Sequence, residues 1–133
     1  YYLKLRWAEM LSREFYNNRM KECGITGRQF TLIFFIKYNG GCTLKELADM
    51  IVLDRSTGNR SIQPLLKKGL LEDRKLDGQR NSSIWLTEFG EQVFLQASKS
   101  WDKAQDDFAN LFTKEELKQL DSTLEILKRL QDI

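Results

Sequence analysis

The 133-residue sequence has no histidine, one proline and two cysteines. Without imidazole the chain lacks the commonest general base and the commonest transition-metal ligand. Two thiols alone do not make a structural zinc site. No glycine-rich phosphate loop, nucleophile motif or pair of acids in one segment takes the place of histidine. The reading is therefore not an enzyme: no catalytic residue, no metal and no cofactor are expected. No apolar run approaches the roughly 20 residues that cross a bilayer, and nothing resembles the apolar stretch of a secretory signal. The expectation is a cytoplasmic protein with no membrane partner. Cys23 and Cys42 flank one predicted helix and read as reduced, unpaired thiols, with a redox switch at either as the alternative.

What is present is a helix-forming chain, 41% apolar, of a length suited to one domain, 1–133. At this size, long helices with wide apolar stripes call for a partner chain to cover them. The formal charge of +2 is unevenly spread. Basic residues outnumber acidic ones eight to five over 1–53 and seven to four over 54–86, whereas acids lead ten to six over 87–133. A basic middle and an acidic end suggest that one region meets an anion.

Apolar residues at helical spacing (Leu3, Trp7, Met10, Leu11, Phe15, Met20) predict a first helix, ended by Gly24. Thr26 can cap a second, in which Phe30, Ile33, Phe34 and Tyr38 read as core and Gly40 and Gly41 as the stop. Thr43 with Glu46 forms a capping box for a short third helix that turns Leu44, Leu47, Ala48 and Ile51 inward. Asp54 can cap a fourth, Arg55 to Lys68, before Gly69; Pro64 alone would predict a kink or an early stop, but the apolar spacing of Ile62, Leu65 and Leu66 runs through it and keeps the helix. Two helices joined by so short a turn have the helix-turn-helix pattern. Two extended runs, Leu70–Lys75 and Ser82–Leu86, around Asp77-Gly78 predict a hairpin, the wing. Thr87 caps a long helix with the stripe Phe89, Val93, Ala97, Trp101, Ala104, Phe108 and Leu111. Thr113 with Glu116 opens the last, where Leu117, Leu120, Leu124, Leu127 and Leu130 alternate by three and four as a heptad seam. The seam packs against a second copy or within its own subunit. Leu3, Trp7, Leu117, Leu120, Leu124 and Leu127 are the candidate dimer residues.

On a wheel of about 100° per residue, the fourth helix sets Gly58, Ile62, Leu65 and Leu66 against Ser56, Arg60, Gln63 and Lys67, with Thr57 and Asn59 flanking the polar side. Arginine reads guanine, asparagine and glutamine read adenine, and hydroxyls hold phosphate. The candidate DNA-binding set is Arg55, Ser56, Thr57, Asn59, Arg60, Gln63 and Lys67, joined by Arg74, Lys75 and Arg80 of the wing, whose narrow tip suits a minor groove.

Leu44-Lys-Glu-Leu-Ala48, Asp54-Arg-Ser-Thr57 leading through Arg60 to Leu65, Lys67-Lys-Gly-Leu70 and Leu86-Thr-Glu-Phe-Gly90, in that order and spacing, resemble the MarR family of winged helix-turn-helix regulators over essentially the whole chain. The fold class is then mainly α with a small β-hairpin wing: a winged helix-turn-helix lobe at 26–86, with long dimerisation helices at 1–22 and 87–133. The resemblance implies a homodimer with interlocked terminal helices, a recognition helix at 54–68, a wing tip at 76–82 and double-stranded DNA as partner. It also implies release by a small aromatic or phenolic effector, or by cysteine oxidation. Trp7, Phe15, Phe30, Phe34 and Trp101 are the aromatics expected where an effector would sit. The wing departs from the family pattern, which usually has an aspartate two residues before its arginine: here Gly78 holds that place and Asp77 lies three before Arg80. The expected function is a dimeric repressor of a pseudo-palindromic operator. The competing reading is a winged-helix protein-interaction module without DNA binding.

Overall fold

A computed structural model of the chain describes the backbone of residues 1–50 and 55–133, and the side chains of the same residues except 48, 50 and 55–59. The order is α1 (Tyr2–Met20), α2 (Gly27–Tyr38), α3 (Leu44–Met50), α4 (Arg55–Lys67), β1 (Leu71–Asp73), β2 (Ile84–Leu86), α5 (Glu88–Ala109) and α6 (Lys114–Leu127). Short 3-10 turns follow α1 and α6. The chain divides into two compact units, Tyr1–Trp101 and Asp102–Ile133. Among the described residues, no helix is long and apolar enough to cross a membrane.

The helix starts follow their caps. Thr26 accepts the Gln29 N–H at 3.1 Å while Gln29 accepts the Thr26 N–H at 3.0 Å, closing a full capping box on α2. Thr113 and Glu116 do the same for α6. At α3 only half of the expected box forms: Thr43 Oγ accepts the Glu46 N–H, but its hydroxyl, not its N–H, meets the Glu46 carboxylate. Another free amide of that helix, Leu44 N–H, is taken at 3.0 Å by Ser82 Oγ from the wing. The inward reading of Ala48 and Ile51 and the Asp54 cap fall outside the described residues.

Pro64 neither stops α4 nor shortens it: the helix runs to Lys67. It ends where Gly69, at φ +75°, lets its N–H reach Leu66 O and the Leu70 N–H reach Leu65 O. That double bond is the Schellman closure, which needs the left-handed conformation glycine adopts freely.

The first unit has one core: Phe30, Leu32, Ile33 and Ile36 of α2, Leu47 of α3, Ile62 and Leu65 of α4, Leu70, Leu71, Ile84 and Leu86 around the hairpin, and Phe94 and Ala97 of α5. Two expected core positions turn out instead. Phe34 and Tyr38 are 44% and 65% exposed, because α2 buries the neighbouring Ile33 and Ile36 side of its surface. In α5, Phe89 is exposed and Phe94 buried. The reason is Gly90: a Cβ there would lie 2.1 Å from the Leu70 carbonyl oxygen, so position 90 is the point of contact and Phe89 is rotated away.

The hairpin pairs Leu71 with Leu86, Glu72 with Trp85 and Asp73 with Ile84. It is shorter than the two runs predicted. Cys42 adds a bridge to Ile84, through Gly41 N–H to Ile84 O and Ile84 N–H to Cys42 O, both at 2.9 Å.

Candidate nucleic-acid interface

Helix α4 buries Ile62 and Leu65 and half-buries Leu66, leaving Arg60, Gln63 and Lys67 exposed on another face. That is the division the wheel predicted. The side chains of Arg55, Ser56, Thr57 and Asn59 lie outside the described ones. Arg60 carries no ion pair among the described residues, so its guanidinium donors are open to an external acceptor.

The wing arginines differ sharply. Arg74 is engaged within the hairpin: its Nε lies 2.7 Å from Glu72 Oε1 and its guanidinium sits 4.6 Å from the centre of the Trp85 ring. Trp85 in turn lies against the backbone of Gly40 and Gly41, where a Cβ would come within 2.5 and 2.9 Å of the indole, and donates to Ser83 Oγ. Arg74 therefore braces the hairpin. Arg80 is exposed at the tip, and among the described residues no carboxylate comes within ion-pair distance of it. Lys75 is exposed as well. A polar hollow of about 310 Å³, formed by Gly41, Gln79, Arg80, Asn81, Ser82 and Ser83, lies at the tip.

Comparison with known proteins fits this arrangement. The sequence profile of the MarR family matches residues 24–80. The HTH-type transcriptional regulator BilQ of Clostridium symbiosum is 30% identical over 110 residues, covering 80% of this chain and 76% of BilQ. The chain belongs to the MarR family. Its fold is that of solved MarR-type structures. The MepR–DNA complex of S. aureus superposes with a TM-score of 0.83 at 18% identity, covering 98% of this chain and 97% of MepR. A MarR family regulator of Listeria monocytogenes complexed with a 26mer DNA gives 0.76 at 23%, covering 97% and 87%. The expected winged helix-turn-helix class holds, and a family of transcriptional regulators is a non-enzymatic one.

In this MarR-family chain, the first unit also holds a cavity of about 710 Å³ between α1, α2, the middle of α4 and Trp101. Tyr16, Phe35 and Trp101 supply aromatic wall; Arg13, Arg28 and Arg60 also line it. Of the five aromatics expected at an effector site, only Trp101 lines it. Phe30 is buried, its ring stacked 4.7 Å from Trp101, while Trp7 and Phe34 are exposed. Burial raises the Tyr16 hydroxyl above its ordinary pKa, keeping it a neutral donor. Sequence reasoning missed Tyr16, Phe35, Arg13 and Arg28, because a wall assembled from four helices leaves no local pattern.

Among the candidate dimer residues, Leu3 and Trp7 of α1 are 76% and 62% exposed, Leu124 of α6 is exposed, and Leu117, Leu120 and Leu127 are half-buried. Cys42 is buried and burial pushes its thiol upward, which disfavours the reactive thiolate. Cys23 is half-buried, with its sulfur 3.7 Å from Ser100 Oγ.

Proposed function

We propose that the chain is a dimeric transcription repressor that binds a pseudo-palindromic operator in double-stranded DNA and is released by a small aromatic or phenolic effector. The observation that carries the reading is the exposed face of α4, where Arg60, Gln63 and Lys67 stand opposite Ile62 and Leu65 and no acid intervenes. Such a face suits a major groove, with Arg55, Ser56, Thr57 and Asn59 at the start of the same helix, Arg80 reaching a minor groove, and Lys75 and Arg74 near the wing backbone. MepR and the Listeria regulator were solved on DNA. The bare apolar surface of α1 supports a second copy of the chain as partner, and an operator-binding role supports action in the cytoplasm, where the chain would meet DNA.

The cavity supports the release step. Its volume lies in the usual range for small-ligand sites. Arg60 belongs both to its wall and to the exposed face of α4. A ligand that engages this guanidinium withdraws it from the groove, and by linkage operator weakens the ligand by the same factor.

Arg60→Ala should weaken binding to a selected duplex by roughly 1–3 kcal/mol and relax preference at one base pair. Gel shifts against the selected duplex and its single-base variants measure this. Equal loss on all sequences would make Arg60 a phosphate contact, and binding no better than to random duplex for the wild type would favour the interaction-module reading. Phenol titrations followed by tryptophan emission, with and without duplex, test the effector: equal affinity in both states removes it from the account.

A further inference from the structure

We infer that Asp73 is the positioning residue of the wing arginine, replacing the aspartate that family members usually carry two residues before it. The inference rests on the proposed role of Arg80 at DNA. Position 78 is glycine at φ +85° and serves the turn instead: Gln79 N–H reaches Leu76 O at 3.0 Å while Leu76 N–H reaches Gln79 Oε1 at 2.9 Å. No acid supports Arg80 from within the loop. The loop is closed from below, where a single oxygen, Asp73 Oδ1, accepts Lys75 N–H at 3.0 Å and Ser83 N–H at 2.9 Å.

Those two amides lie on opposite arms of the hairpin, one just before the tip and one just after it. The backbone pair Arg74 N–H to Ser83 O, at 2.8 Å, lies beside them. Ser82, the next residue toward the tip, is held by the start of α3 through its bond to Leu44 N–H. Arg80 thus stands between a closed turn at Gln79 and an anchored Ser82, on backbone whose freedom is spent before DNA arrives. Among the described residues its guanidinium has no ion-pair partner to be released from. An ion pair inside the loop would fix the arginine and compete for its charge; a clamp at the base fixes the backbone and leaves the charge free.

The test uses the full-length protein and a duplex that the wild type selects from a random pool, with affinity measured as a function of salt. Arg80→Ala and Asp73→Ala should each weaken binding, roughly 5- to 50-fold, and each lower the salt slope by about one. Asp73→Ala in the Arg80→Ala background should cost nothing more, since the clamp acts through that side chain. Asp73→Asn, which keeps an Oδ1 acceptor, should bind nearly as the wild type does. A merely structural role would lower Tm and leave the salt slope alone. If Asp73→Ala does not fold, Asp73→Ser, too short to bridge both amides, must show the same loss. Wild-type affinity and slope in a folded Asp73→Ala or Asp73→Ser variant, or additive losses in the double variant, would overturn the inference while Arg80 stays in place. Wild-type binding by Arg80→Ala overturns both it and the wing reading.

Discussion

The lobe and the terminal helices treat the same kinds of side chain in opposite ways. Between Phe30 and Leu86, Leu32, Ile33, Ile36, Leu47, Ile62, Leu65, Leu70, Leu71, Ile84 and Leu86 sink into one shared core, several of them with no accessible surface. Along α1 only Met20 is buried, and Leu3, Leu5, Trp7 and Leu11 stay in solvent; α6, in the other unit, buries none. The lobe is therefore complete as one chain, while the terminal helices carry apolar surface that one chain leaves uncovered. Exposed apolar surface is what an association site presents, in keeping with the proposed dimer.

The strongest challenge to this contrast is Leu124→Lys with Leu127→Lys. Charges in an apolar seam cost several kcal/mol, so the dimer should be lost and monomer or unfolded chain found by sedimentation; a folded dimer would place the seam inside its own subunit. Leu65→Ala attacks the other side of the comparison. A fully buried leucine lost from a packed core costs about 2–5 kcal/mol, so chemical denaturation should show that loss while sedimentation still reports a dimer. The smallest effect separates the two caps. The Thr113 backbone and hydroxyl hold the Glu116 carboxylate below its ordinary pKa. Its contribution is full above the usual carboxylate range and is lost as pH falls through the lowered value. The matching cap of the lobe uses the neutral Gln29. Protection of the amides at the start of α6, taken relative to their intrinsic exchange rate, should therefore fall in acid while that at the start of α2 should not, and Glu116→Gln should abolish the difference.

Much of the fold was legible because its signals are local. Thr26, Thr87 and Thr113 cap the helices they were expected to cap, and the alternation of Ile62 and Leu65 with Arg60, Gln63 and Lys67 divided α4 correctly. What escaped depends on contacts distant in sequence. Nothing in the helical period tells Phe89 from Phe94; the Leu70 carbonyl opposite Gly90 decides it. Arg74, a candidate DNA contact by its sequence, stacks on Trp85 from across the hairpin, a pairing that its local pattern does not mark. At the site, the Asp73 clamp had a readable half, an aspartate bonding an amide two residues on. Its other half, ten residues away at Ser83, had none.

The joint at Leu70 bears on how this protein can change over time. The Leu70 carbonyl receives Thr87 N–H at 3.1 Å, with the Thr87 hydroxyl and Gly90 packed beside it. The hairpin is thus tied at its base, with further ties from Cys42 to Ile84 and from Leu44 to Ser82. Insertions beyond the Asp73 clamp leave that base intact, and doubling the length of such a loop adds only about 0.6 kcal/mol of closure entropy. Lineages descending from this sequence can therefore lengthen, shorten or exchange the tip, while the helices on either side evolve under separate constraints. Gly90 itself is the position least open to that drift, since any side chain there would strike the backbone on which the base is tied.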